Sequence, residues 1–333
     1  MAIPARTRRG LGCTGRRVAL ALLAALVLIL AALATYTTVL FNTASQSLDH
    51  ADLLPATRTP AAAGQSTEGA ARHPEPPRSM EGPQDILLIG EDKEQWGTSR
   101  ADVIILAHVN ADRTRVDLIH VPRDYYVQVA DQGRMRINEA YSRGGAPLLA
   151  STVQDLFGVQ IDHVAVTTFD GFQSAVDALG GVDVLVKESN PARDDFPAYT
   201  AGEVVHLNGE QALAFARERK SLSAGDISRG NRQMDLLEAL GRQMLTPEAV
   251  SNPAAMVSAV SSLAGNVTTD QGLGVSEMAA LGWELRDAEV SKMGAPVAGN
   301  AVTDGGAQVI VPDVAALEEL GEALDSDAMG DAR

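Results

Sequence analysis

The fold of this chain is decided by the stretch DILLIG, residues 85–90. Its four consecutive apolar residues, followed by a glycine and two acids, are typical of a buried strand that opens into a loop. A second strand is predicted over residues 103–109, a turn over 110–113 and a return strand over 116–121. We therefore expect folding to begin at residue 85 and to continue into a β-hairpin.

Beyond the hairpin, predicted strands and helices alternate. Pro147 suits the first turn of a helix that ends at Gly158, and strands over 163–168 and 182–186 flank a helix capped by Asp170. Later helices are predicted over 209–219, 229–245, 254–263, 276–285 and 314–324, with a strand over 308–311. Because strands alternate with helices, the sequence predicts a layered α/β body.

The composition excludes several classes of protein. Of the 333 residues, 45% are hydrophobic, 21% charged and 4% aromatic, which rules out a disordered or collagen-like chain. The single cysteine, Cys13, excludes a fold framed by disulfides. The net charge is −16 and no basic run with interleaved aromatic residues occurs, so we expect no nucleic-acid partner.

The N-terminal part carries a membrane signal. Residues 18–41 contain no charge, and five arginines precede them. Since about 20 apolar residues cross a bilayer and basic residues stay on the cytoplasmic side, we predict a cytoplasmic tail over 1–17 and one transmembrane helix over 18–41. A cleaved signal peptide ending at residues 32–34 is the alternative. Under either interpretation the rest of the chain is extracellular.

The remaining boundaries follow from composition. Residues 42–84 hold six prolines among small and polar residues, which is typical of a linker. No internal repeat or second linker interrupts residues 85–325, so we predict a single domain there and a short tail over 326–333.

Arginines gather where one predicted helix ends and the next begins. The four arginines are Arg217, Arg219, Arg229 and Arg232, and Gln233 lies next to the last of them on the same helix. Positive side chains in the first turn of a helix oppose its dipole, and a bound phosphate would remove that conflict. Arginine also binds phosphate through two parallel hydrogen bonds. The alternative is a solvated charged face with ion pairs to Glu218 or Asp226.

Two aspartates suggest a metal. Asp92 follows the first predicted strand and Asp102 precedes the second, and sites in α/β sheets gather at strand ends. Carboxylate oxygens suit Mg²⁺ that also bridges to phosphate, although two loop aspartates can equally be solvated. His108 and His120, on the predicted hairpin strands, are expected to be structural. Walker-loop, H-E-x-x-H and G-x-S-x-G patterns do not occur.

Nine short segments follow one another in a recognisable order. They are ILLIGED (86–92), SRAD (99–102), VPRD (121–124), RINEAY (136–141), FDGF (169–172), ALGGV (178–182), LNGEQALA (207–214), RER (217–219) and GDISRGNRQ (225–233). This order resembles the LytR-CpsA-Psr family over residues 85–245, and the part to about residue 325 resembles the rest of the same domain. Arg136 stands where relatives often have lysine.

The resemblance implies a three-layer α/β/α domain with a mixed central sheet, preceded by one N-terminal transmembrane helix and a Pro-rich tether. It implies an Mg²⁺-dependent enzyme that moves a glycopolymer, such as a teichoic acid, from a polyprenyl-pyrophosphate carrier onto peptidoglycan and forms a phosphodiester. The implied partners are the lipid-linked donor, the peptidoglycan acceptor and the membrane. A polyprenyl-pyrophosphate hydrolase and a non-catalytic lipid-binding or regulatory module are the alternatives.

Matching positions assign roles to residues. Asp92 and Asp102 would hold Mg²⁺. The pyrophosphate would be bound by Arg123, Arg217, Arg219, Arg229 and Gln233. Catalysis would depend on Arg123, Arg217 and Asp226, of which Asp226 orients the arginines. The resemblance also implies an apolar slot for the lipid between sheet and helices, for which the predicted helix over 229–245 offers a wall.

Overall fold

The structure is a computed structural model that describes residues 35–39, 42–55, 82–93, 99–193, 196–244 and 264–330. Within these residues the strands are β1 (Asp49–His50), β2 (Gln84–Lys93), β3 (Ser99–Val109), β4 (Arg115–His120), β5 (Tyr126–Gln128), β6 (Arg134–Arg136), β7 (His163–Thr168), β8 (Val182–Leu185), β9 (Val204–Leu207), β10 (Val267–Thr269), β11 (Glu289–Gly294), β12 (Val297–Val302) and β13 (Gln308–Pro312). Residues 35–39 and 42–47 are helical, and the α-helices that follow are α1 (Ile137–Phe157), α2 (Phe169–Ala178), α3 (Gly209–Arg217), α4 (Asp226–Met244), α5 (Val275–Glu284) and α6 (Val314–Asp325).

A seven-stranded sheet forms the centre, in the order β1-β10-β7-β2-β3-β4-β11. Strand β2 pairs in parallel with β7 and antiparallel with β3, so residues 85–90 lie in the middle of a mixed sheet. The pairs β5–β6, β8–β9 and β12–β13 form separate two-stranded sheets. The predicted α/β fold with a mixed central sheet is confirmed.

Helices cover both faces of this sheet. Leu87 and Ile89 belong to the same core as Leu149 of α1, whereas Ile86 packs with Met234 of α4. Since neighbouring residues of a strand point to opposite faces, a continuous apolar run is what a strand buried on both faces requires. The described residues are therefore layered as helix, sheet and helix.

Helix α1 consists of two helical segments joined by a kink, and the second segment is the helix predicted from Pro147 to Phe157. Gly144 and Gly145 leave the helical conformation, and Gly145 has φ of 65°. Pro147 restarts the helix directly after them, which suits its missing N–H. Gly158 adopts the left-handed conformation with φ of 70° and ends the helix as predicted.

Two other helices begin earlier than predicted. Thr168 caps α2, because its Oγ1 accepts a hydrogen bond from the Gly171 N–H at 3.1 Å, and the expected cap Asp170 lies inside the helix. Helix α4 begins at Asp226, one turn before the predicted start at Arg229. The helix predicted over 254–263 lies outside the described residues.

The predicted linker is wrong for residues 42–55, which belong to the domain. Strand β1 pairs in parallel with β10, and Leu53 is 8% exposed within the main core. The His50 Nδ1 lies 3.1 Å from the Asp270 backbone oxygen. A two-residue strand is too short to have a hydrophobic periodicity, so no sequence pattern indicates it.

The predicted transmembrane helix over 18–41 falls almost entirely outside the described residues. Only residues 35–39 of that segment are described, and they are helical. No helix among the described residues has the length and hydrophobicity that crossing a membrane requires.

A buried histidine joins the C-terminal segment to the sheet. The His108 side chain is 1% exposed, with Nδ1 2.8 Å from Asp85 Oδ1 and Nε2 3.1 Å from Asp327 Oδ1. A neutral imidazole donates from one nitrogen only, whereas carboxylates at both nitrogens require two donors. Burial opposes protonation, but the two carboxylates raise the pKa of His108 above its ordinary value. Residues 326–330, predicted as part of a short tail, are therefore attached to the domain, and Met329 is buried in the main core.

We predict that alkaline pH weakens this attachment. Because the folded-state pKa of His108 is raised, its stabilisation is complete below its ordinary pKa of 6.5 and is lost as the pH rises through the folded value. Burial also raises the pKa of Asp85, although His108 opposes that change. The contribution of Asp85 to stability therefore also falls as the pH rises, but it does so at more acidic pH than that of His108. The free energy of unfolding in urea should fall from about pH 6 to about pH 9, and fall less in Asp327→Asn. Equal changes in both proteins would contradict the prediction.

Candidate functional site

A cationic cleft of about 530 Å³ lies where the loop after β4, the end of α3 and the start of α4 meet. Six of its nine lining residues are basic and one is acidic. The lining residues are Arg123, Arg193, Phe196, Ala214, Arg217, Glu218, Arg219, Lys220 and Arg229. Such an excess of cations, mostly arginine, suits an anion with several oxygens.

Arg217, the last residue of α3, projects into the cleft. Its guanidinium carbon lies 4.6 Å from the centre of the Phe169 ring, a cation–π distance. Its Nη2 donates to Asp92 Oδ2 at 2.7 Å, and half of the side chain remains exposed. Arg217 is therefore held in place while keeping donors for a ligand.

Asp102 reaches the cleft because β3 contains a bulge. Gly90 lies opposite Val103 and Glu91 opposite Ala101, so Asp102 has no partner on β2. Its Oδ1 accepts from Arg123 Nη1 at 2.6 Å. The bulge thus aims this carboxylate at the arginine that follows β4.

Arg229 is a buried arginine of the cleft. It is 7% exposed and forms an ion pair with Asp226 one turn earlier. Burial lowers its pKa, Asp226 opposes this and the nearby Arg123 adds to it. Among the described residues its Nε has no hydrogen-bond partner. A bound anion would supply that partner and the missing negative charge.

His120 sets the distance between β4 and α4. Its ring lies against Gly230, where a Cβ would come within 2.2 Å of the His120 Nδ1. Burial, and to a lesser degree Arg229, lower the pKa of His120 to about 3, so the ring is neutral. Glycine therefore lets α4 approach closely enough for Arg229 to share the cleft with Arg123.

An apolar cavity of about 280 Å³ adjoins the cationic cleft, between the sheet and helices α2, α3 and α4. Its lining includes Leu88, Val103, Ile105, Ala165, Val166, Phe169, Phe172, Leu213, Ala216, Gln233, Leu236, Leu237 and Leu240. Phe169 lies beneath Arg217, and Ala216 precedes Arg217 in α3. The apolar cavity and the cationic cleft therefore share a wall.

The structure brings together four of the five residues predicted to bind pyrophosphate: Arg123, Arg217, Arg219 and Arg229. The fifth, Gln233, lines the apolar cavity instead, and its Nε2 donates to the Ala216 oxygen at 3.2 Å. Asp92 and Asp102 each pair with an arginine of the cleft. No group of three or more metal-ligating side chains occurs among the described residues.

Sequence reasoning missed Arg193 and Phe196, which line the cleft from the loop between β8 and β9. Arg232 explains how that loop is held. Its guanidinium carbon lies 4.2 Å from the Phe215 ring centre, and its Nη2 donates to Asn190 Oδ1 at 2.7 Å. Helical spacing places Arg232 on the same face as Arg229, so the sequence alone suggests the same role for both. Only the packing of Arg232 against aromatic rings shows that it holds the loop while Arg229 lines the cleft.

The described residues thus form an α/β domain with a cationic cleft beside an apolar cavity. The chain belongs to the LytR_cpsA_psr family, whose sequence model matches residues 45–326. The resemblance found in the nine segments is thereby confirmed.

Individual relatives agree with this assignment. The chain is 34% identical over 184 residues to TagU of Halalkalibacterium halodurans, a polyisoprenyl-teichoic acid–peptidoglycan teichoic acid transferase, covering 55% of this chain and 60% of TagU. It is 31% identical over 159 residues to TagU of Bacillus subtilis, covering 47% and 51%. The matched region thus spans about half to three fifths of these curated relatives. The crystal structure of B. subtilis TagV is similar with a TM-score of 0.62 and 28% identity, over 75% of this chain and 98% of TagV.

Proposed function

We propose that this protein transfers a glycopolymer from a polyprenyl-pyrophosphate carrier onto peptidoglycan and forms a phosphodiester link. The observation that carries the proposal is the shared wall between the cationic cleft and the apolar cavity. A polyprenyl pyrophosphate combines the two features that these spaces complement, a dense negative charge and a long hydrocarbon chain. The activity for which the TagU relatives are named supports the same reaction.

The donor would lie across both spaces. Its pyrophosphate would occupy the cationic cleft, and the first units of its lipid would enter the apolar cavity. Gln233 would contact the donor from the side of the apolar cavity, because one N–H of its amide is used by the Ala216 oxygen and the other remains to donate. Asp226, near both Arg123 and Arg229, would keep the two guanidinium groups oriented.

The chemical step needs stabilisation of charge more than covalent catalysis. A peptidoglycan hydroxyl would attack the phosphorus that carries the sugar, the bond from that phosphorus to the bridging oxygen would break, and polyprenyl phosphate would leave. The proton of the hydroxyl would pass, directly or through water, to the phosphate oxygen that the broken bond releases. Arg123, Arg217 and Arg229 would neutralise the charge that grows on the phosphate oxygens. Because these groups are already fixed by Asp102, Phe169 and Asp226, little reorganisation is required.

Mg²⁺ fits this arrangement as a partner of the substrate. Asp92 and Asp102 extend from paired strands into the region of the cleft arginines, and Mg²⁺ commonly uses one or two carboxylates with water and phosphate oxygens. These two residues would hold the ion, which when bound would supply positive charge to the pyrophosphate. The same proposal includes an N-terminal membrane anchor over residues 18–41 and an extracellular domain.

The proposal is tested with the detergent-solubilised full chain, a polyprenyl-pyrophosphate-linked labelled sugar and peptidoglycan fragments, with Mg²⁺ or a chelator. We expect labelled sugar phosphate on the fragments with Mg²⁺ only, and strongly reduced transfer in Asp92→Asn. Release of sugar phosphate into water would indicate the hydrolase instead. Donor binding without any turnover would indicate a binding module.

The apolar cavity should determine the affinity for lipid. Ala165 of β7 lines it, so Ala165→Phe would fill part of its volume. We expect the affinity for a fluorescent polyprenyl phosphate to fall at least about tenfold, or ~1.4 kcal/mol, while inorganic pyrophosphate binds as before. Ala298→Phe, at an exposed position of β12, is the matched control and should change neither affinity. Unchanged lipid binding in Ala165→Phe would contradict the prediction.

A further inference from the structure

We propose that a second groove, between Asp124 and the β12–β13 hairpin, binds the glycan strand of peptidoglycan as the acceptor. We call it the hairpin groove. The inference rests on the proposed function, because it names where that function's acceptor lies. The residues that line the hairpin groove line neither the cleft nor the cavity described above.

The hairpin groove has a volume of about 400 Å³. It is lined by Asp124, Asn300, Ala301, Val302, Gln308, Val309 and Ile310. In the antiparallel pair, Asn300 lies opposite Ile310 and Val302 opposite Gln308, so these four side chains share one face of the hairpin. The Ile310 N–H donates to the backbone oxygen of Asp124 at 2.9 Å, which fixes the hairpin to the loop that carries Arg123.

The chemistry of this lining suits an uncharged carbohydrate. The amides of Asn300 and Gln308 both donate and accept hydrogen bonds, and the carboxylate of Asp124 accepts them. Hydroxyl and N-acetyl groups of amino sugars need both kinds of partner. Val302, which is 65% exposed, offers an apolar surface for a sugar face or an acetyl methyl group.

Charge distinguishes the acceptor from the donor polymer. The hairpin groove is lined by one carboxylate and no cation, whereas the cleft is lined by six cations. Asp124 is already paired with Arg123 and Arg136, so the lining itself contains no cation left to bind the phosphate that such a polymer carries on each unit. The glycan strand of peptidoglycan carries no phosphate, so we commit to it as the occupant.

The position of Asp124 connects the hairpin groove to the reaction. Its Oδ2 lies 3.9 Å from the Arg123 Nε, and its Oδ1 lies 3.4 Å from the Arg136 Nη1. The Asp124 carboxylate is therefore fixed between two guanidinium groups, yet 19% of its side chain remains exposed. A glycan bound there would lie next to the arginine that faces the pyrophosphate, where an acceptor hydroxyl is needed.

The test measures binding of two ligands to the solubilised full chain: uncrosslinked glycan strands released from peptidoglycan, and inorganic pyrophosphate. In the double variant Asn300→Ala/Gln308→Ala we expect at least tenfold weaker binding of the glycan and unchanged binding of pyrophosphate. Both residues are exposed, so the fold should tolerate their truncation. Asp304→Asn, in the turn of the same hairpin, is the control and should bind both ligands normally.

The outcomes separate this inference from the proposed function. Unchanged glycan binding in the double variant overturns the hairpin groove, even if transfer activity is present. In a competition experiment, lipid-free teichoic acid could displace the glycan from the wild type and leave the residual binding in the double variant unchanged. That result would show that teichoic acid binds in the hairpin groove, and it would overturn the glycan strand as the occupant. Groove-dependent glycan binding without any transfer supports the hairpin groove and counts against the proposed function.

Discussion

Replacing Arg217 by alanine should lower the rate of glycopolymer transfer by about 100- to 1,000-fold, the usual loss when one fixed donor to developing charge is removed. Arg217 lines the cleft and is held by Asp92 and the Phe169 ring, so its cation would meet the proposed pyrophosphate in one orientation. Its side chain is half exposed, and Asp92 is one-third exposed, so the substitution leaves no buried unpaired charge. The variant should therefore unfold at the temperature of the wild type.

Arg242→Ala is the matched control for this loss. Arg242 lies near the end of α4, is 76% exposed and pairs with Glu238, away from the cleft lining. Its removal should leave transfer within about twofold of wild type, because exposed ion pairs contribute little. Arg217→Lys should recover part of the activity, since it keeps the charge and loses the planar fork. A wild-type rate in Arg217→Ala would remove Arg217 from the mechanism.

Gly230→Ala should impair both folding and transfer. The new methyl carbon would lie 2.2 Å from the His120 Nδ1 and within 2.5 Å of two further ring atoms, so α4 has to move away from β4. Overpacking of this kind typically costs about 1–3 kcal/mol of unfolding free energy. Because Arg229 precedes Gly230, the same movement displaces its guanidinium, and we expect transfer to fall at least about tenfold.

The same helix provides the control. A methyl group added at Gly241 would have nothing within 4 Å of it, so Gly241→Ala should stabilise the protein by about 0.5–1 kcal/mol through helix propensity alone. Removing the His120 ring should relieve the clash with the new methyl group, so the double variant His120→Ala/Gly230→Ala should transfer glycopolymer faster than Gly230→Ala. Additive effects of the two substitutions would show that the His120 contact is not the cause.

The local pattern of the sequence is sufficient to predict the centre of the fold. An apolar run buried on both faces has a clear signature, which is why residues 85–90 are predicted as a strand and are found in the middle of the sheet. Strand β1 has no such signature, since it is defined only by its partner β10. Elements that depend on long-range pairing, such as β9, leave no periodicity for sequence reasoning to detect.

In the candidate site too, local patterns predict some residues, and others are brought in only by the folded chain. Helix ends predict that Arg217, Arg219 and Arg229 bind one ligand, and the family resemblance adds Arg123. These four residues do line one cleft. Helical spacing cannot tell that Gln233 faces the apolar cavity or that Arg232 is enclosed by aromatic rings. Arg193 and Phe196 come from a loop without any pattern, so only the folded chain brings them to the cleft.

The pairing of β1 with β10 also limits how far the domain can stand from a bilayer. With the anchor proposed over 18–41, only residues 42–48 separate the membrane from the sheet, and six of them are helical. At 1.5 Å per helical residue this distance is roughly 10 Å. The proline-rich segment joins β1 to β2, two strands of one sheet, so changing its length would not alter the reach of the domain from the membrane. The pyrophosphate of a carrier lipid would therefore meet the cleft close to the head groups, without being lifted far from its membrane.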